Sequence, residues 1–130
     1  MVNKQPTCTP GAEDALSHNG SYPSGHTAIG WSWALILSQI APEQGDAILE
    51  RGRAFGDSRL VCNVHWDSDV IEGRVVAAAT VARLNGDPTF LADLDVAKAE
   101  LAAVRAKKIA PQRDCKFEAD ALTGRPFAAP

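Results

Sequence analysis

The helix expected from about Gly25 to Ile40 constrains the fold more than any other part of the sequence. A turn marked by Pro23 precedes it, and Ser24 stands where a helix cap is required. Apolar side chains then occupy nearly its whole circumference. On one side lie Trp31, Leu35 and Ser38, and on another lie Ile29, Trp33, Ile36 and Ile40. A helix that is apolar nearly all round belongs in a core, so we expect this helix there.

Apolar residues at helical spacing predict four further helices. These helices are expected to begin near Thr9, Pro42, Trp66 and Asp87. The pattern fails from Pro111 on, so residues 111–130 are expected to form an irregular tail and residues 1–110 a helical domain. No segment alternates apolar and polar residues as a half-buried strand would. The predicted fold class is therefore all-α, a helical bundle of about five helices.

Composition narrows the classes of function. The 130 residues carry a net charge of −3, and no cluster of Lys and Arg is interleaved with aromatic residues, so no nucleic-acid partner is expected. The longest apolar stretch, Ile29 to Ala41, is too short for a membrane span, and residues 1–6 lack the apolar region of a signal peptide. The three cysteines lack C-x-x-C spacing, which argues against a structural zinc site. Three cysteines can form one disulfide in three ways, and the sequence does not choose among these pairings.

The first group of candidate catalytic residues lies between residues 58 and 69. His65 and Asp69 are four residues apart, so on a helix they would share one face, and a carboxylate bonded to one ring nitrogen leaves the other nitrogen free. Arg59 would point roughly 120° away on a continuous helix, so the three converge only if the helix breaks, which we expect at residues 62–64. A guanidinium and an imidazole aimed at one point suit a phosphoryl group.

A second imidazole, that of His26, follows the turn Tyr22-Pro23-Ser24-Gly25. The free backbone N–H groups at the start of a helix make an anion site, and His26 would stand in the first turn of that helix. Two alternatives compete with a phosphate site. The His-x-x-x-Asp pair and its upstream arginine would form a surface ion-pair cluster, or His26, His65 and Asp69 would bind a metal with His18 as a further ligand. The second alternative gives the Ser58-Arg59 pair no role.

With both motifs placed, the sequence resembles the class A bacterial non-specific acid phosphatases. These belong to the superfamily of the type 2 phosphatidic acid phosphatases and vanadium haloperoxidases. The family pattern is Lys-x6-Arg-Pro, then Pro-Ser-Gly-His, then Ser-Arg-x5-His-x3-Asp. The second part stands here as Pro23-Ser24-Gly25-His26, and the third as Ser58-Arg59, His65 and Asp69. The flanks Asn19-Gly20-Ser21-Tyr22 and Gly30-Trp31 are similar to the soluble class A branch. The resemblance covers roughly residues 7–108 and implies an all-α fold.

The resemblance also implies a role for each residue of the two motifs. His65 would be the nucleophile that becomes phosphohistidine, Asp69 would hold its ring, and His26 would be the general acid. Arg59, Ser24 and the Gly25 amide would bind the non-bridging oxygens of the phosphate. No metal and no other cofactor is expected, and the expected partners are small phosphomonoesters, with phosphate and vanadate as analogues. Some members of the family also transfer phosphate to alcohols.

The first family motif is absent from this sequence, since Arg125-Pro126 has Glu118 where the pattern needs Lys. We therefore expect the C-terminal portion of such an enzyme, with Met1 as an internal methionine or a cloned boundary. An inactive remnant that still binds phosphate or vanadate is the alternative function. Without covering helices, the apolar helix would favour a homo-oligomer. The family location would be periplasmic or secreted, which suits a disulfide such as one from Cys8 to Cys62 or Cys115.

Overall fold

The structure is a computed structural model that describes residues 6–123. In this range the regular elements are six α-helices and two short 3₁₀ helices, Pro10–Ala12 and Pro42–Gln44. The α-helices are α1 (Glu13–Ser17), α2 (Gly25–Ile40), α3 (Gly45–Val61), α4 (Asp67–Leu84), α5 (Pro88–Ala106) and α6 (Cys115–Thr123). Between residues 6 and 123 no β-strand is formed, which confirms the all-α fold class.

Helix α2 packs against α3, α4 and α5, and very small residues let it approach α3 closely. A Cβ atom added at Gly52 of α3 would lie 2.4 Å from the Cβ of Ala34 in α2. One added at Gly56 would lie 2.9 Å from Cγ2 of Thr27. These contacts leave no room for larger side chains at the crossing, so the two backbones run unusually close together. The buried apolar side chains of the described range are Ala34, Ala41, Val70, Ala77, Val81 and Leu94.

One side of α2 is exposed, which differs from the expectation that the whole helix lies in the core. Ile29, Trp33 and Leu37 follow one another at helical spacing and are 56%, 66% and 48% exposed. The reason is that α3, α4 and α5 cover only the other sides of α2 within residues 6–123. We call Ile29, Trp33 and Leu37 the apolar stripe of α2.

The chain breaks between α3 and α4, as the spacing of Arg59 and His65 required. Helix α3 ends at Val61 and α4 begins at Asp67, and Asn63 between them has a φ of 54°. Asparagine tolerates this left-handed conformation better than most residues. Because of this break, Arg59 and His65 do not have to point in different directions, as they would on one continuous helix.

A disulfide joins the N-terminal segment to this break. Cys8 is bonded to Cys62 with a Cα–Cα distance of 4.9 Å, and Cys115 is exposed with a free thiol. The Asn63 side-chain amide donates a 3.1 Å hydrogen bond to the Pro6 carbonyl. The segment before α1 is therefore held against the α3–α4 connection by one covalent bond and one hydrogen bond.

The first predicted helix and the predicted tail both differ in detail from the structure. Thr9 precedes a 3₁₀ turn and makes no side-chain capping hydrogen bond, and α1 has only five residues. Part of the segment expected to be irregular forms α6. That helix was missed because polar contacts support it: Asp114 accepts the Lys116 N–H, and Glu118 pairs with Arg51 of α3. The remainder of the predicted tail, 124–130, lies outside the described residues.

No helix within residues 6–123 combines the length and the apolar composition that crossing a membrane would require.

Candidate active site

Ser24 caps helix α2 and is completely buried. Its Oγ accepts a 3.2 Å hydrogen bond from the Thr27 N–H and a 2.9 Å hydrogen bond from the Thr27 hydroxyl. The predicted cap is thus formed, and Thr27 is a partner that the sequence pattern did not single out. By helix geometry, the N–H groups of Gly25 and His26 have no acceptor inside the helix, so they are available to an anion.

His65 and Asp69 form the predicted pair, although His65 lies in the connection before α4 and not on a helix face as the spacing argument assumed. The His65 Nδ1 lies 3.4 Å from Asp69 Oδ2, and the side chains are 11% and 3% exposed. The same Oδ2 accepts a 2.9 Å hydrogen bond from the backbone N–H of Trp66 at the start of α4. Because Nδ1 faces the carboxylate, Nε2 is the ring nitrogen left for a ligand.

The environment of Asp69 favours its charged form. Burial on its own raises the pKa of Asp69, but hydrogen bonds from the Trp66 N–H and from the Ser21 and His65 side chains, with the charge of His65, outweigh it. The net effect is a lowered pKa for Asp69, so the carboxylate stays ionised at mildly acidic pH.

A main-chain hydrogen bond joins the two motifs. The Ser24 N–H donates to the Asp69 carbonyl oxygen over 2.9 Å. This bond places the start of α2 beside the start of α4. The rings of His26 and His65 are consequently close, with centroids 6.4 Å apart and planes at 62° to each other. His26 itself is exposed, whereas His65 is largely covered.

Arg59 lies in the last turn of α3, and its guanidinium is held by neighbours on that helix. Its Nε and one Nη donate to the Ser58 Oγ over 3.1 and 2.9 Å, and the Ser58 hydroxyl donates to the Phe55 carbonyl over 2.6 Å. The guanidinium carbon also lies 5.4 Å from the centre of the Phe55 ring, a cation–π contact. The Phe55 ring lies against Gly30 of α2, so Arg59 is on the side of α3 that packs on α2.

The structure therefore brings four of the six predicted residues into one cluster. His65, Asp69, Ser24 and His26 are linked by the contacts described above. Gly25 adjoins the cluster as the first residue of α2 and has open space where a Cβ would be. Arg59 reaches α2 through Phe55, and its guanidinium contacts Ser58 and Phe55 of its own helix.

Sequence reasoning missed residues that hold this cluster together from outside the two motifs. Ser21 and the Trp66 N–H stabilise Asp69, and Thr27 fixes Ser24. The Trp66 contact had a signal, because an acidic residue three positions after a helix cap often bonds back to it. The Thr27 N–H contact also had a signal, because a cap side chain ordinarily accepts from the third residue of its helix, whereas the Ser21 contact depends on the fold.

Metal ligation needs several donor side chains around one point. Among residues 6–123, no three His, Cys, Asp or Glu side chains are grouped so that they could hold a metal ion. The alternative in which His26, His65 and Asp69 bind a metal thus lacks the ligand cluster it requires. His18 instead lies at the end of α1, where its Nδ1 is 2.9 Å from the Asp14 carbonyl oxygen.

This fold and this cluster define a class: all-α proteins in which an imidazole–carboxylate pair stands beside a second imidazole at a capped helix start. The chain belongs to the PAP2 superfamily, which matches residues 2–87.

Several relatives share close similarity with the chain. It is 52% identical over 99 residues to a non-specific acid phosphatase of Providencia stuartii, covering 76% of this chain and 40% of that protein. It is 46% identical over 118 residues to an acid phosphatase of Zymomonas mobilis, covering 90% of this chain and 45% of that protein. A non-specific acid phosphatase of Salmonella typhimurium is 48% identical over 95 residues, which cover 73% of this chain and 38% of that protein. The chain thus spans less than half the length of these relatives.

Proposed function

We propose that the chain carries the phosphoryl-transfer site of an acid phosphatase, a phosphomonoester hydrolase that works through a phosphohistidine at His65. The single observation that carries the proposal is the His65–Asp69 pair, whose geometry leaves Nε2 of His65 free beside the ring of His26. The acid phosphatase relatives support the same reaction class.

In the first step, Nε2 of His65 attacks the phosphorus atom of the monoester. A P–N bond forms while the P–O bond to the alcohol breaks, and His26 gives a proton to the leaving oxygen. Asp69 accepts a hydrogen bond from Nδ1–H and stabilises the positive charge that develops on the His65 ring. Its lowered pKa supports this role, because the carboxylate stays ionised under acidic conditions.

In the second step, water attacks the phosphorus atom and the P–N bond breaks. His26, which lost its proton in the first step, takes one from the water. Inorganic phosphate leaves, and both imidazoles return to their starting states. If an alcohol takes the place of water, the same step becomes phosphate transfer to that alcohol.

The non-bridging oxygens of the phosphate would bind at the start of α2 and at Arg59. The Gly25 N–H points out of the first turn of the helix, where the helix dipole favours an anion. The Ser24 Oγ accepts two hydrogen bonds from Thr27, so it would offer its own hydrogen to a phosphate oxygen, and since Ser24 is completely buried this requires its surroundings to open. Arg59 would add a full positive charge, and such contacts stabilise the transferring group.

The test is hydrolysis of p-nitrophenyl phosphate at acidic pH by the chain and two histidine variants. His65→Ala is expected to lower turnover by at least about 10³-fold, because it removes the nucleophile. His18→Ala is the matched control and is expected to keep full turnover, since His18 lies at the end of α1. Rapid quenching should trap an acid-labile phosphate on His65. Turnover that survives His65→Ala would remove the proposed nucleophile.

A second candidate function is binding of phosphate or vanadate without turnover. The observation that favours it is the sequence itself, which lacks a Lys followed seven residues later by Arg-Pro. Losing one charged contact to a transferring phosphoryl group costs on the order of 10²–10³ in rate. Calorimetry that finds vanadate binding, with no p-nitrophenyl phosphate hydrolysis, would favour this candidate over the first.

We further propose a periplasmic or secreted location. The Cys8–Cys62 disulfide supports it, because disulfides form and persist in oxidising compartments. Fractionation of cells that express the natural gene tests this proposal, and recovery of the protein only from the cytoplasm with both thiols reduced would contradict it.

A further inference from the structure

Gly73 of α4 lies one turn after Asp69, at the point where α4 meets the start of α2. A Cβ atom built at this buried glycine would lie 2.7 Å from the Ser24 carbonyl oxygen. The same atom would lie 3.0 Å from Cβ of Thr27 and 3.3 Å from the backbone nitrogen of Ala28. Real Cβ atoms do not approach backbone this closely, so any side chain at position 73 would force α2 and α4 apart.

A backbone conformation that only glycine adopts easily does not explain why residue 73 is a glycine. In the described residues no glycine has a positive φ, and Gly73 sits inside a regular helix. Glycine in a helix interior costs roughly 1 kcal/mol relative to alanine. The absence of a side chain at Gly73 therefore serves to let α2 approach α4 closely.

The contact at Gly73 and the hydrogen bond between the motifs are one helical turn apart. The Ser24 N–H donates to the Asp69 carbonyl, and the Ser24 carbonyl, which accepts the Ala28 N–H, lies over Gly73. Ser24, Gly25 and His26 move with the start of α2. His65 and Asp69 move with the start of α4. The distance between these two groups is consequently set by how closely α4 can approach Ser24.

We propose that Gly73 is a positioning residue, which sets the spacing between the start of α2 and the His65–Asp69 pair. This proposal rests on the proposed function, because the spacing matters through the phosphate that lies between the two groups. A methyl group at position 73 would lengthen the Ser24–Asp69 hydrogen bond and move His26 away from His65. Misplacement of this kind weakens a site even when every side chain of the site is still present.

The experiment compares Gly73→Ala with Gly52→Ala. Both glycines are buried in helices, and a Cβ at Gly52 would lie 2.4 Å from the Cβ of Ala34. Ala34 is ten residues beyond Ser24, about 15 Å along α2 at the rise of an α-helix. The control variant thus introduces a similar clash far from the site. Vanadate affinity is measured by calorimetry, and the free energy of unfolding is measured in urea.

We expect both variants to be less stable than the parent chain but only Gly73→Ala to bind vanadate on the order of tenfold more weakly or worse. Hydrogen exchange of the Ser24 amide should be faster in Gly73→Ala than in Gly52→Ala at equal stability. Parental vanadate affinity in Gly73→Ala, or an equal loss in Gly52→Ala, would overturn the proposal.

Two further outcomes are also decisive. If the parent chain binds no vanadate, the proposed function fails, and exchange at the Ser24 amide alone decides whether Gly73 sets the spacing. If Gly73→Ala is unfolded in buffer, the measurements are repeated in sucrose, which favours the folded state. A variant that stays unfolded there would show that Gly73 serves folding and not spacing, which contradicts the proposal.

Discussion

One oxygen atom of Asp69 serves two purposes at the scale of single residues. Oδ2 accepts the Trp66 N–H, which completes the first turn of α4, and it also faces Nδ1 of His65. The start of the helix and the orientation of the imidazole therefore depend on the same negative charge. Protonation of Asp69 would weaken both contacts together.

This arrangement predicts how stability depends on pH. The folded-state pKa of Asp69 lies below its ordinary value of 3.8, so the ionised carboxylate stabilises the fold above that value. The contribution is lost as the pH falls through the lowered pKa. Asp69→Asn should reduce the free energy of unfolding near neutral pH by about 1–3 kcal/mol, and its difference from the parent should shrink as the pH falls below the ordinary pKa of the carboxyl group.

The measurement is urea unfolding at a series of pH values, with Asp67→Asn as the control. Asp67 is an exposed carboxylate in the same turn of α4, and its removal should leave the acidic part of the curve unchanged. If Asp69→Asn and the parent lose stability in parallel as the pH falls, the charge of Asp69 does not contribute in this way.

At the scale of elements, the connection between α3 and α4 determines where His65 lies. The Val64 N–H donates to the Arg59 carbonyl over 3.2 Å, and Asn63 turns the chain in a left-handed conformation. Cys62 at the end of α3 is tied to Cys8. The connection is thus held both from within and by the N-terminal segment.

Breaking this covalent link should destabilise the fold. The disulfide joins residues 54 positions apart, and the loop-entropy argument gives a contribution of about 4 kcal/mol. Cys8→Ser is expected to lower the free energy of unfolding by up to that amount, while Cys115→Ser, which removes the exposed free thiol, should leave it unchanged. Urea unfolding without reductant checks both values, and equal stability of the two variants would contradict the prediction.

The elements were predictable wherever helices begin and end on strong local signals. The bounds of α2 follow from the Ser24 cap and its apolar run, and α5 begins at Pro88 after the Asp87 cap. Helix α6 was not predictable in the same way, because it is only nine residues long and a capping carboxylate and ion pairs support it.

The site was predictable to the extent that spacing along the chain determines it. Four-residue spacing predicted the contact of His65 with Asp69 on one helix, and the contact forms with His65 just ahead of the Trp66 cap of α4. The meeting of Ser24 with Asp69 depends on how two helices pack, and no local pattern reports the space at Gly73. The orientation of Arg59 also depends on contacts with Ser58 and Phe55 that the motif alone does not reveal.

At the scale of the whole molecule, the apolar stripe of α2 has no cover within residues 6–123. Exposed apolar surface that forms a continuous patch favours association, because its burial removes it from water. The chain also spans less than half the length of its relatives. We therefore expect the isolated chain to self-associate through this stripe.

Sedimentation velocity over a range of concentrations tests this expectation with two charged variants. Trp33→Glu is expected to shift the chain toward the monomer, because Trp33 is the most exposed residue of the stripe. Val96→Glu is the control, since Val96 is an exposed apolar residue of α5. A parent chain that sediments as a monomer at all concentrations, or an equal effect of both variants, would rule out association through the stripe.

The bond from the Ser24 amide to the Asp69 carbonyl involves only main-chain atoms. Exchanging the side chain of Ser24 or Asp69 leaves both atoms of the bond in place, whereas a side chain at position 73 would push the two helix starts apart and weaken it. A protein engineer can vary exposed side chains such as those of Tyr22 and Trp66, since neither supplies an atom to this bond. The scaffold is accordingly suited to libraries of surface variants that keep the two helix starts aligned.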